Sequence, residues 1–292
     1  MSDAGSDQDI EAHWRSFAGQ YGLLGSPLCP CEEDIRIIEE MLEAEPEVFG
    51  AAAKKRVWLL GVTPKIAAAR WPHEIELIAV ERVQAMIDSV WPGDTGSRQA
   101  ICADWLDAPF PDQSVDLAIG DGCLTAVSFP DELSRLLASI HRCLRCDGYL
   151  MLRLFCRPDI AETPDVVIAA LQSGAIGSFH AFKWRLAMAV QGMDDAPDVA
   201  VDAVWQVWHE ARIDMQALAV ARGWPPEQVG TIEFYQGSAA RYNFMRYDDT
   251  IRHLQYVGFD LVATRSGGYE LAERCQHVLL RKRASLSGAG AS

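Results

Sequence analysis

The chain has few basic residues for its size, and this shortage limits its possible partners. Its 292 residues include 26 Lys and Arg against 41 Asp and Glu, which gives a formal net charge of −15 at pH 7. Nucleic-acid binding depends on clustered Lys and Arg that neutralise phosphates, and an anionic membrane surface attracts the same cations. The composition therefore argues against both kinds of partner. It is electrostatically compatible with a cationic ligand.

Long hydrophobic runs and a disulfide framework are also missing. No apolar stretch approaches the roughly 20 residues of a membrane span, and residues 1–9 are polar and acidic, unlike a signal peptide. The eight cysteines are scattered, as is typical of small hydrophobic residues in a reducing compartment. The pairs Cys29/Cys31 and Cys143/Cys146 lack a second pair at zinc spacing. We therefore expect a cytoplasmic protein without a metal site.

What the sequence does contain is a series of short apolar runs, each followed by a turn or an acidic residue. Four such runs occupy residues 57–60, 75–80, 101–103 and 115–119. They predict parallel β-strands whose carboxyl ends align at one edge of a sheet, which is where ligands bind in open α/β folds. Gly61, Glu81, Asp104 and Asp121 directly follow the runs, so the functional site is expected among them.

Helical periodicity surrounds these strands. An amphipathic helix at residues 131–144 precedes a fifth strand at 149–156, and a helix at 247–256 precedes last strands at 258–262 and 276–281. The sequence between these two groups is mostly helical, with candidate helices at residues 166–171, 179–190 and 199–221. Further helices are predicted at residues 10–18 and 30–42, and disorder at residues 1–9.

We therefore predict an α/β fold with a doubly wound, seven-stranded, mostly parallel sheet whose last strand is antiparallel. Residues 51–158 and 245–283 form the predicted core. Residues 1–50 are predicted as a helical arm or lid, and residues 159–244 as a helical insert that covers the substrate. Residues 284–292 are predicted as a disordered tail.

Gly61 and Glu81 have the spacing that holds a nucleoside. A glycine after the first strand lets the backbone approach the ligand, and an acid after the second strand accepts from both ribose hydroxyls. Nicotinamide-dependent enzymes share this arrangement. Pro64, however, removes a backbone N–H donor that a pyrophosphate would need at the helix start, which favours a ligand without phosphate. Asp104, followed by Trp105, is placed to accept from an adenine amine.

These residues resemble the motifs of class I S-adenosylmethionine-dependent methyltransferases. The similarity covers residues 56–157 and 246–283, and residues 57–64 correspond to the glycine-bearing first motif. The chain departs from the family in lacking further glycines after Gly61. The resemblance implies S-adenosyl-L-methionine as cofactor and in-line methyl transfer to a small molecule. The cofactor-binding residues that it implies, with their neighbours, are Gly61, Val62, Thr63, Glu81, Arg82, Asp104, Trp105, Asp121 and Gly122.

Aromatic residues of the arm and the insert suggest an acceptor with an apolar or planar surface. The candidate substrate-binding residues are Tyr21, Trp184, Arg185, His209 and Tyr242. His209 is also the candidate catalytic base, because it shares a helix face with Trp205 and Arg212. A base is required only if the acceptor is protonated at the working pH, since the sulfonium donor is already electrophilic.

Two other functions fit the same sequence. One is a nucleoside-binding relative of the fold with a regulatory or assembly role. The other is a nicotinamide-dependent oxidoreductase, which Pro64 disfavours. The methylated atom (oxygen, nitrogen, sulfur or carbon) and the oligomeric state stay open at this stage.

Overall fold

A seven-stranded β-sheet organises the computed structural model, which describes residues 4–49, 54–193 and 196–283. The strands are β1 (Lys55–Leu60), β2 (Ile75–Glu81), β3 (Arg98–Cys102), β4 (Val115–Asp121), β5 (Leu144–Arg153), β6 (Val199–Ala200), β7 (Arg241–Tyr242), β8 (Phe259–Arg265) and β9 (His277–Lys282). Strands β6 and β7 pair in a separate two-stranded sheet. The fifth strand, predicted over residues 149–156, begins and ends earlier than expected.

The strand order of the large sheet is β3-β2-β1-β4-β5-β9-β8. Strand β9 runs antiparallel to both of its neighbours, whereas the other pairs are parallel. The chain moves outward from β1 to β3 and then returns to place β4 on the opposite side of β1. The crevice between β1 and β4 is therefore the topological switch point, where α/β sheets bind ligands. The predicted doubly wound sheet with an antiparallel last strand is confirmed.

Helices cover both faces of the sheet. They are α1 (Ala4–Ala18), α2 (Glu32–Ala44), α3 (Pro64–Ala67), α4 (Gln84–Val90), α5 (Asp131–Cys143), α6 (Pro164–Ser173), α7 (Phe179–Met193), α8 (Val201–Glu210), α9 (Met215–Arg222), α10 (Pro226–Gly230) and α11 (Tyr247–Tyr256). Val57 and Leu59 of β1 pack with α2, α3 and α4, whereas Trp58 and Leu60 pack with α5 and α11. This alternation along one strand supplies both hydrophobic layers.

The N-terminal segment divides into two parts with different environments. Helix α1 begins at Ala4, inside the segment predicted to be disordered, and it packs against α4. The other residues predicted to be disordered, 1–3 and 284–292, lie outside the described part of the chain. Helix α2 buries Ile38 and its neighbours in the core on one face of the sheet, and Ala18 at the end of α1 joins the same cluster. Trp14 and Phe17 of α1 also line the cavity described below, so α1 is the part of this segment that could act as a lid.

The insert has a hydrophobic core of its own, in which Phe182 packs on Trp208 with ring centroids 5.6 Å apart. The helix predicted over residues 199–221 is two helices, α8 and α9. Arg212 between them adopts a φ of +51°, and Asp214 caps α9 by accepting from the backbone N–H of Ala217. Within the described residues, every helix falls short of the length and apolar character that a bilayer crossing requires.

Candidate cofactor and acceptor site

A cavity of about 120 Å³ lies at the switch point, over the carboxyl ends of β1, β2 and β4. Three parts of the chain line it: the strand ends, α1 with the loop that follows, and the helical insert. A second space of about 50 Å³ adjoins it and shares Trp14, Glu81 and Trp105 with it. The topology therefore brings strand-end residues and insert residues to one enclosed region, as is usual for small-molecule sites.

Gly61 ends β1 in a conformation that favours glycine. Its φ of +86° lies in the left-handed region, and its N–H donates to the Val80 carbonyl at 2.9 Å. A Cβ at this position would lie 3.6 Å from the Trp105 ring and 3.8 Å from Oε2 of Glu81. The backbone after β1 therefore faces the carboxylate after β2, and a side chain at position 61 would fill the space between them.

Glu81 is buried but keeps one oxygen for a ligand. Its Oε1 accepts from the Val83 N–H at 2.9 Å, while Oε2 accepts no hydrogen bond from the part of the chain that the structure describes. Burial raises the pKa of this carboxyl, and the Val83 N–H and the charge of Arg82 act in the opposite direction. An ionised Glu81 can therefore accept from ligand hydroxyl groups through Oε2.

Trp105 forms the boundary between the two spaces. Its indole N–H donates to the Val80 carbonyl at 2.5 Å, which fixes the ring beside the end of β2. Asp104 begins the same turn by accepting from the Leu106 N–H at 2.9 Å, and it lines the second space together with Arg82. Asp104, which the sequence predicted to accept from an adenine amine, thus lies in the space next to the main cavity, with Trp105 between the two.

Asp121 is engaged by a buried arginine. Nε of Arg153 donates to Oδ1 of Asp121 at 2.6 Å, and the same guanidinium donates to Asp34 at 3.1 Å and to the Pro27 carbonyl at 3.0 Å. Burial raises the pKa of Asp121, and Arg153 opposes that shift. Arg153 thereby ties the end of β4 to α2 and to the loop after α1. Gly122, with a φ of +63°, follows Asp121.

Aromatic side chains form the opposite wall. Those that line the cavity are Trp14, Phe17, Tyr21, Phe155, Trp184, Tyr235 and Tyr242. A Cβ on Gly122 would overlap the Phe155 ring, so glycine is required for this wall to approach the strand end. Burial raises the pKa of Tyr21, Tyr235 and Tyr242, so these phenols are neutral hydrogen-bonding groups near pH 7.

Most of the predicted site residues meet at this cavity. The cofactor candidates that line the main space are Gly61, Val62, Thr63, Glu81, Trp105, Asp121 and Gly122, and those that line the adjoining space include Arg82 and Asp104. Of the substrate candidates, Tyr21, Trp184 and Tyr242 line the main space. Their binding roles stay predictions, but their convergence on one space is what those roles require.

His209 and Arg185 lie elsewhere, which corrects their assignment. His209 is exposed, stacks on Trp205 with ring centroids 4.7 Å apart, and borders a separate surface depression. Arg185 is paired with Glu162, which also accepts from Arg274 at 2.7 Å. Helical spacing grouped His209 with Trp205 correctly, but spacing alone does not tell which helix face looks toward the strand ends.

The structure also adds residues that the sequence analysis did not select. Cys29 lines the main cavity, and Lys183 on α7 is buried close to it. Lys183 carried no clear signal in the sequence, because its helix also contains His180, Arg185 and Gln191 and spacing does not tell which of them is buried beside the cavity. Asp34 and Arg153 carried no signal either, since residues so far apart in sequence reveal their pairing only in the folded chain.

Comparison with known proteins gives one family match, over about a third of the chain. The family model of a methyltransferase domain matches residues 60–152, which span the end of β1 to β5. No curated protein sequence matches the chain. Among solved structures, a Rhodobacter sphaeroides protein named as a Zn-dependent alcohol dehydrogenase has a TM-score of 0.61 at 12% identity, covering 97% of this chain and 100% of its own.

Two further solved structures carry names of other activities. The 1,6-didemethyltoxoflavin-N1-methyltransferase of Burkholderia thailandensis, solved with 1,6-didemethyltoxoflavin and S-adenosylhomocysteine, has a TM-score of 0.53 at 14% identity over 97% of this chain and 93% of its own. The cyclase SpnF has a TM-score of 0.52 at 11% identity over 94% and 97%. At such identities these likenesses establish the fold alone. Within the described residues, no three His, Cys, Asp or Glu side chains converge as a metal site would require.

Proposed function

We propose that this chain, which carries a class I S-adenosylmethionine-dependent methyltransferase domain, methylates a small molecule held inside the main cavity. The observation that carries the proposal is that a single space extends from the strand ends to the aromatic wall of the insert. The end of this space at Gly61 and Glu81 suits the cofactor, and the end at Trp184 and Tyr242 suits an acceptor. S-adenosylmethionine supplies the activated methyl group when it is bound.

The residues at the strand ends fit an adenosine ligand. Gly61 leaves open the space that a Cβ would fill, and the unused Oε2 of Glu81 lies beside that space. A carboxylate in this position accepts from ribose hydroxyls. Asp104 in the adjoining space suits an exocyclic amine, and Trp105 offers a flat surface between the two. None of these residues needs a phosphate group on the ligand.

The aromatic side chains at the insert end of the cavity are suited to orient the acceptor, and none of them is a strong base. Tyr235 and Tyr242 are neutral phenols, 4% exposed each, which can hold an acceptor by hydrogen bonds. Trp184 and Phe155, with ring centroids 5.1 Å apart, keep water away from that end. Methyl transfer from a sulfonium depends on alignment and exclusion of water. The proposal therefore favours acceptors that are nucleophilic without a strong base.

The cover of the cavity supports a small acceptor. Helix α1 and the insert cover it, so a chemical group on a protein or nucleic acid would need this cover to open. The net charge of −15 also disfavours a nucleic-acid substrate.

A role without methyl transfer is the second candidate. SpnF, which shares the fold, is named as a cyclase, so the fold does not by itself imply methyl transfer. Both functions keep a ligand in the same space, so binding alone does not separate them. Formation of S-adenosylhomocysteine does.

The test is an assay of the purified full chain with methyl-tritiated S-adenosylmethionine and a panel of planar phenols, heteroaromatic amines and thiols. We expect label in at least one small product together with S-adenosylhomocysteine, and loss of at least about tenfold in rate at subsaturating cofactor for Glu81→Gln. Glu76→Gln, on the same strand but paired with Arg56 at the surface, is the matched control and should retain the rate. Label that enters only protein or nucleic acid added in parallel would contradict the proposal.

A further inference from the structure

A second, smaller cavity lies behind the aromatic wall. It measures about 20 Å³ and shares Phe17 and Tyr235 with the main cavity, so these two rings border both spaces. Its other lining residues include the polar side chains of His13, Gln20 and Lys183. No part of the cofactor site described above uses this polar space.

Lys183 brings a positive charge that nothing nearby balances. The residue is 1% exposed, its Nζ donates to Oγ1 of Thr231 at 2.7 Å, and Nζ lies 5.4 Å from the centre of the Tyr235 ring. Among the described residues no carboxylate pairs with it. Burial lowers the pKa of Lys183 to about 7, which reflects the cost of an ammonium group without a counter-ion.

His13 contributes an unused hydrogen-bond donor. Its Nδ1 lies 2.8 Å from Oγ of Ser238, which already accepts from the Ala240 N–H. When the Ser238 hydroxyl donates to Nδ1, the ring proton is on Nε2 and Nε2 is a donor. His13 is 7% exposed, and its Nε2 has no partner among the described residues. Burial lowers the pKa of His13 to about 4, so the ring is neutral.

Gln20 is the third polar group at the same space. Its Oε1 is buried and also lacks a partner among the described residues. A side-chain amide can present either its oxygen or its N–H₂ to a ligand. The small cavity therefore combines one unbalanced cation with one neutral donor and one adaptable amide, a set of groups that suits a carboxylate.

We propose that the small cavity binds an acidic group of the methyl acceptor, with Lys183 as its counter-ion and His13 as a second donor. This inference rests on the proposed function and narrows the acceptor to a planar or apolar molecule that carries a carboxylate. Lys183 lines the small cavity and not the main one, so its charge acts on a remote group of the acceptor rather than on the methylated atom. Phe17 and Tyr235, the two rings shared by both spaces, mark where an acceptor that reaches Lys183 would cross from one space to the other.

The test measures carboxylate preference. The full chain, saturated with S-adenosylhomocysteine, is titrated with benzoate, cinnamate and 2-naphthoate, and separately with the corresponding amides. For at least one ring system we expect the carboxylate to bind at least about tenfold more tightly than its amide, because a charge-assisted bond to a buried cation is lost in the amide. Lys183→Met should abolish this preference and leave the affinity for S-adenosylhomocysteine unchanged.

Two controls keep the result interpretable. Lys65→Met removes an exposed lysine of α3 that pairs with Glu32, and it should retain the preference. Lys183→Gln removes the charge but keeps a donor for Thr231, and it replaces Lys183→Met if that variant does not fold. Both Lys183 variants should melt at or above the wild-type temperature without ligand, since an unbalanced buried charge is gone.

The outcomes separate the two proposals. If S-adenosylhomocysteine binds but no carboxylate binds more tightly than its amide, or if Lys183→Met keeps the preference, the acidic-acceptor proposal is overturned and the methyltransferase proposal stands. If acetate binds as tightly as benzoate, cinnamate and 2-naphthoate, the small cavity is a site for a free small anion. That result also overturns the acidic-acceptor proposal. If S-adenosylhomocysteine does not bind, the proposed function fails, and the inference fails with it.

Discussion

Glu81 faces opposite demands at the scale of the single residue. Its burial raises the pKa of the carboxyl, yet a carboxylate is the form that accepts from ligand hydroxyls. In the folded chain the group holds its proton more tightly than in the unfolded chain. Ionised Glu81 therefore lowers the free energy of unfolding. This loss grows as the pH rises from the unfolded pKa to the raised folded pKa, and it disappears when the pH falls again.

Replacing this carboxyl by an amide should separate binding from stability. Glu81→Gln keeps an oxygen for the Val83 N–H but loses the charge, so we expect the Kd for S-adenosylhomocysteine to rise at least about tenfold. The melting temperature of the ligand-free protein should stay equal or rise, because position 81 no longer carries a buried charge. Calorimetry measures the Kd and thermal melting measures the stability, with Glu76→Gln as the control for both. A variant that binds normally would contradict the role given to Glu81.

The strand-end residues could be predicted from sequence because each follows an apolar run directly. The positions of Gly61, Glu81 and Asp104 can be predicted from the ends of the strands alone, because parallel strands align their carboxyl ends at one edge of the sheet. His209 and Lys183 depend on which face of an insert helix turns toward the cavity. That orientation is decided by packing within the insert, and helical spacing does not encode it.

At the scale of the elements, Arg153 is the link between β5, the end of β4 and α2. Its side chain is 1% exposed and pairs with Asp34 and Asp121, whose side chains are 0% and 8% exposed. The two carboxylates raise the pKa of Arg153 well above its usual value against the effect of burial. The network holds the loop after α1 against the core through the bond to the Pro27 carbonyl.

Removing Arg153 should be strongly destabilising. Arg153→Met leaves two buried carboxylates without their cation, which costs about 3–5 kcal/mol of unfolding free energy. Adding Asp34→Asn should recover part of the loss, because one of the orphaned charges is gone. Urea denaturation measures both variants. Arg283→Met, which breaks an exposed pair with Asp260, is the control and should change stability by about 1 kcal/mol or less. An equal effect at both arginines would contradict the network.

Helix α1 should shield the cavity from reagents. Cys29 lines the cavity, is 8% exposed, and has a pKa raised to about 12 by burial. Deletion of residues 1–19 removes Trp14 and Phe17 from the same wall, so we expect Cys29 to react with iodoacetamide at least about tenfold faster. Mass spectrometry of each site gives the rates, and the exposed Cys102 serves as the internal control. Unchanged protection of Cys29 would show that α1 is not a lid.

The elements themselves were predictable to different degrees. The strands of the large sheet and α5 have strong periodic patterns and were predicted, although β3 and β5 begin earlier than expected. Helix α11 matches residues 247–256 as predicted. The break between α8 and α9 was missed, because Arg212 in a left-handed conformation is unusual for a residue other than glycine. Two N-terminal helices were predicted, and both form, although α1 begins earlier than expected, at Ala4. The surfaces that they cover were not predicted, because an apolar helix face does not tell what packs against it.

At the scale of the whole molecule, buried histidines should make stability depend on pH. Burial lowers the pKa of His13, His180 and His277 to about 4, against an ordinary value of 6.5. Groups with a lowered folded pKa bind protons better in the unfolded chain. Their contribution to the free energy of unfolding is therefore intact above pH 6.5 and is lost as the pH falls toward 4. Glu81 and Asp121 have raised pKa values, so their effect is the opposite and they favour folding as the pH falls.

The urea midpoint should accordingly fall between pH 6.5 and pH 4. His180, 1% exposed and without a side-chain partner among the described residues, should contribute clearly, so His180→Leu should weaken the pH dependence. His209→Leu alters an exposed ring and should leave the dependence as it is. A midpoint that stays constant down to pH 4 in the wild type would contradict this explanation.

The most direct test of the central claim is a calorimetric titration of the full chain with S-adenosylhomocysteine, alongside NAD. An adenosine ligand without phosphates, held at Gly61 and Glu81, predicts saturable 1:1 binding of S-adenosylhomocysteine and no heat with NAD. Binding of NAD in preference to S-adenosylhomocysteine, or no binding of S-adenosylhomocysteine, would contradict it.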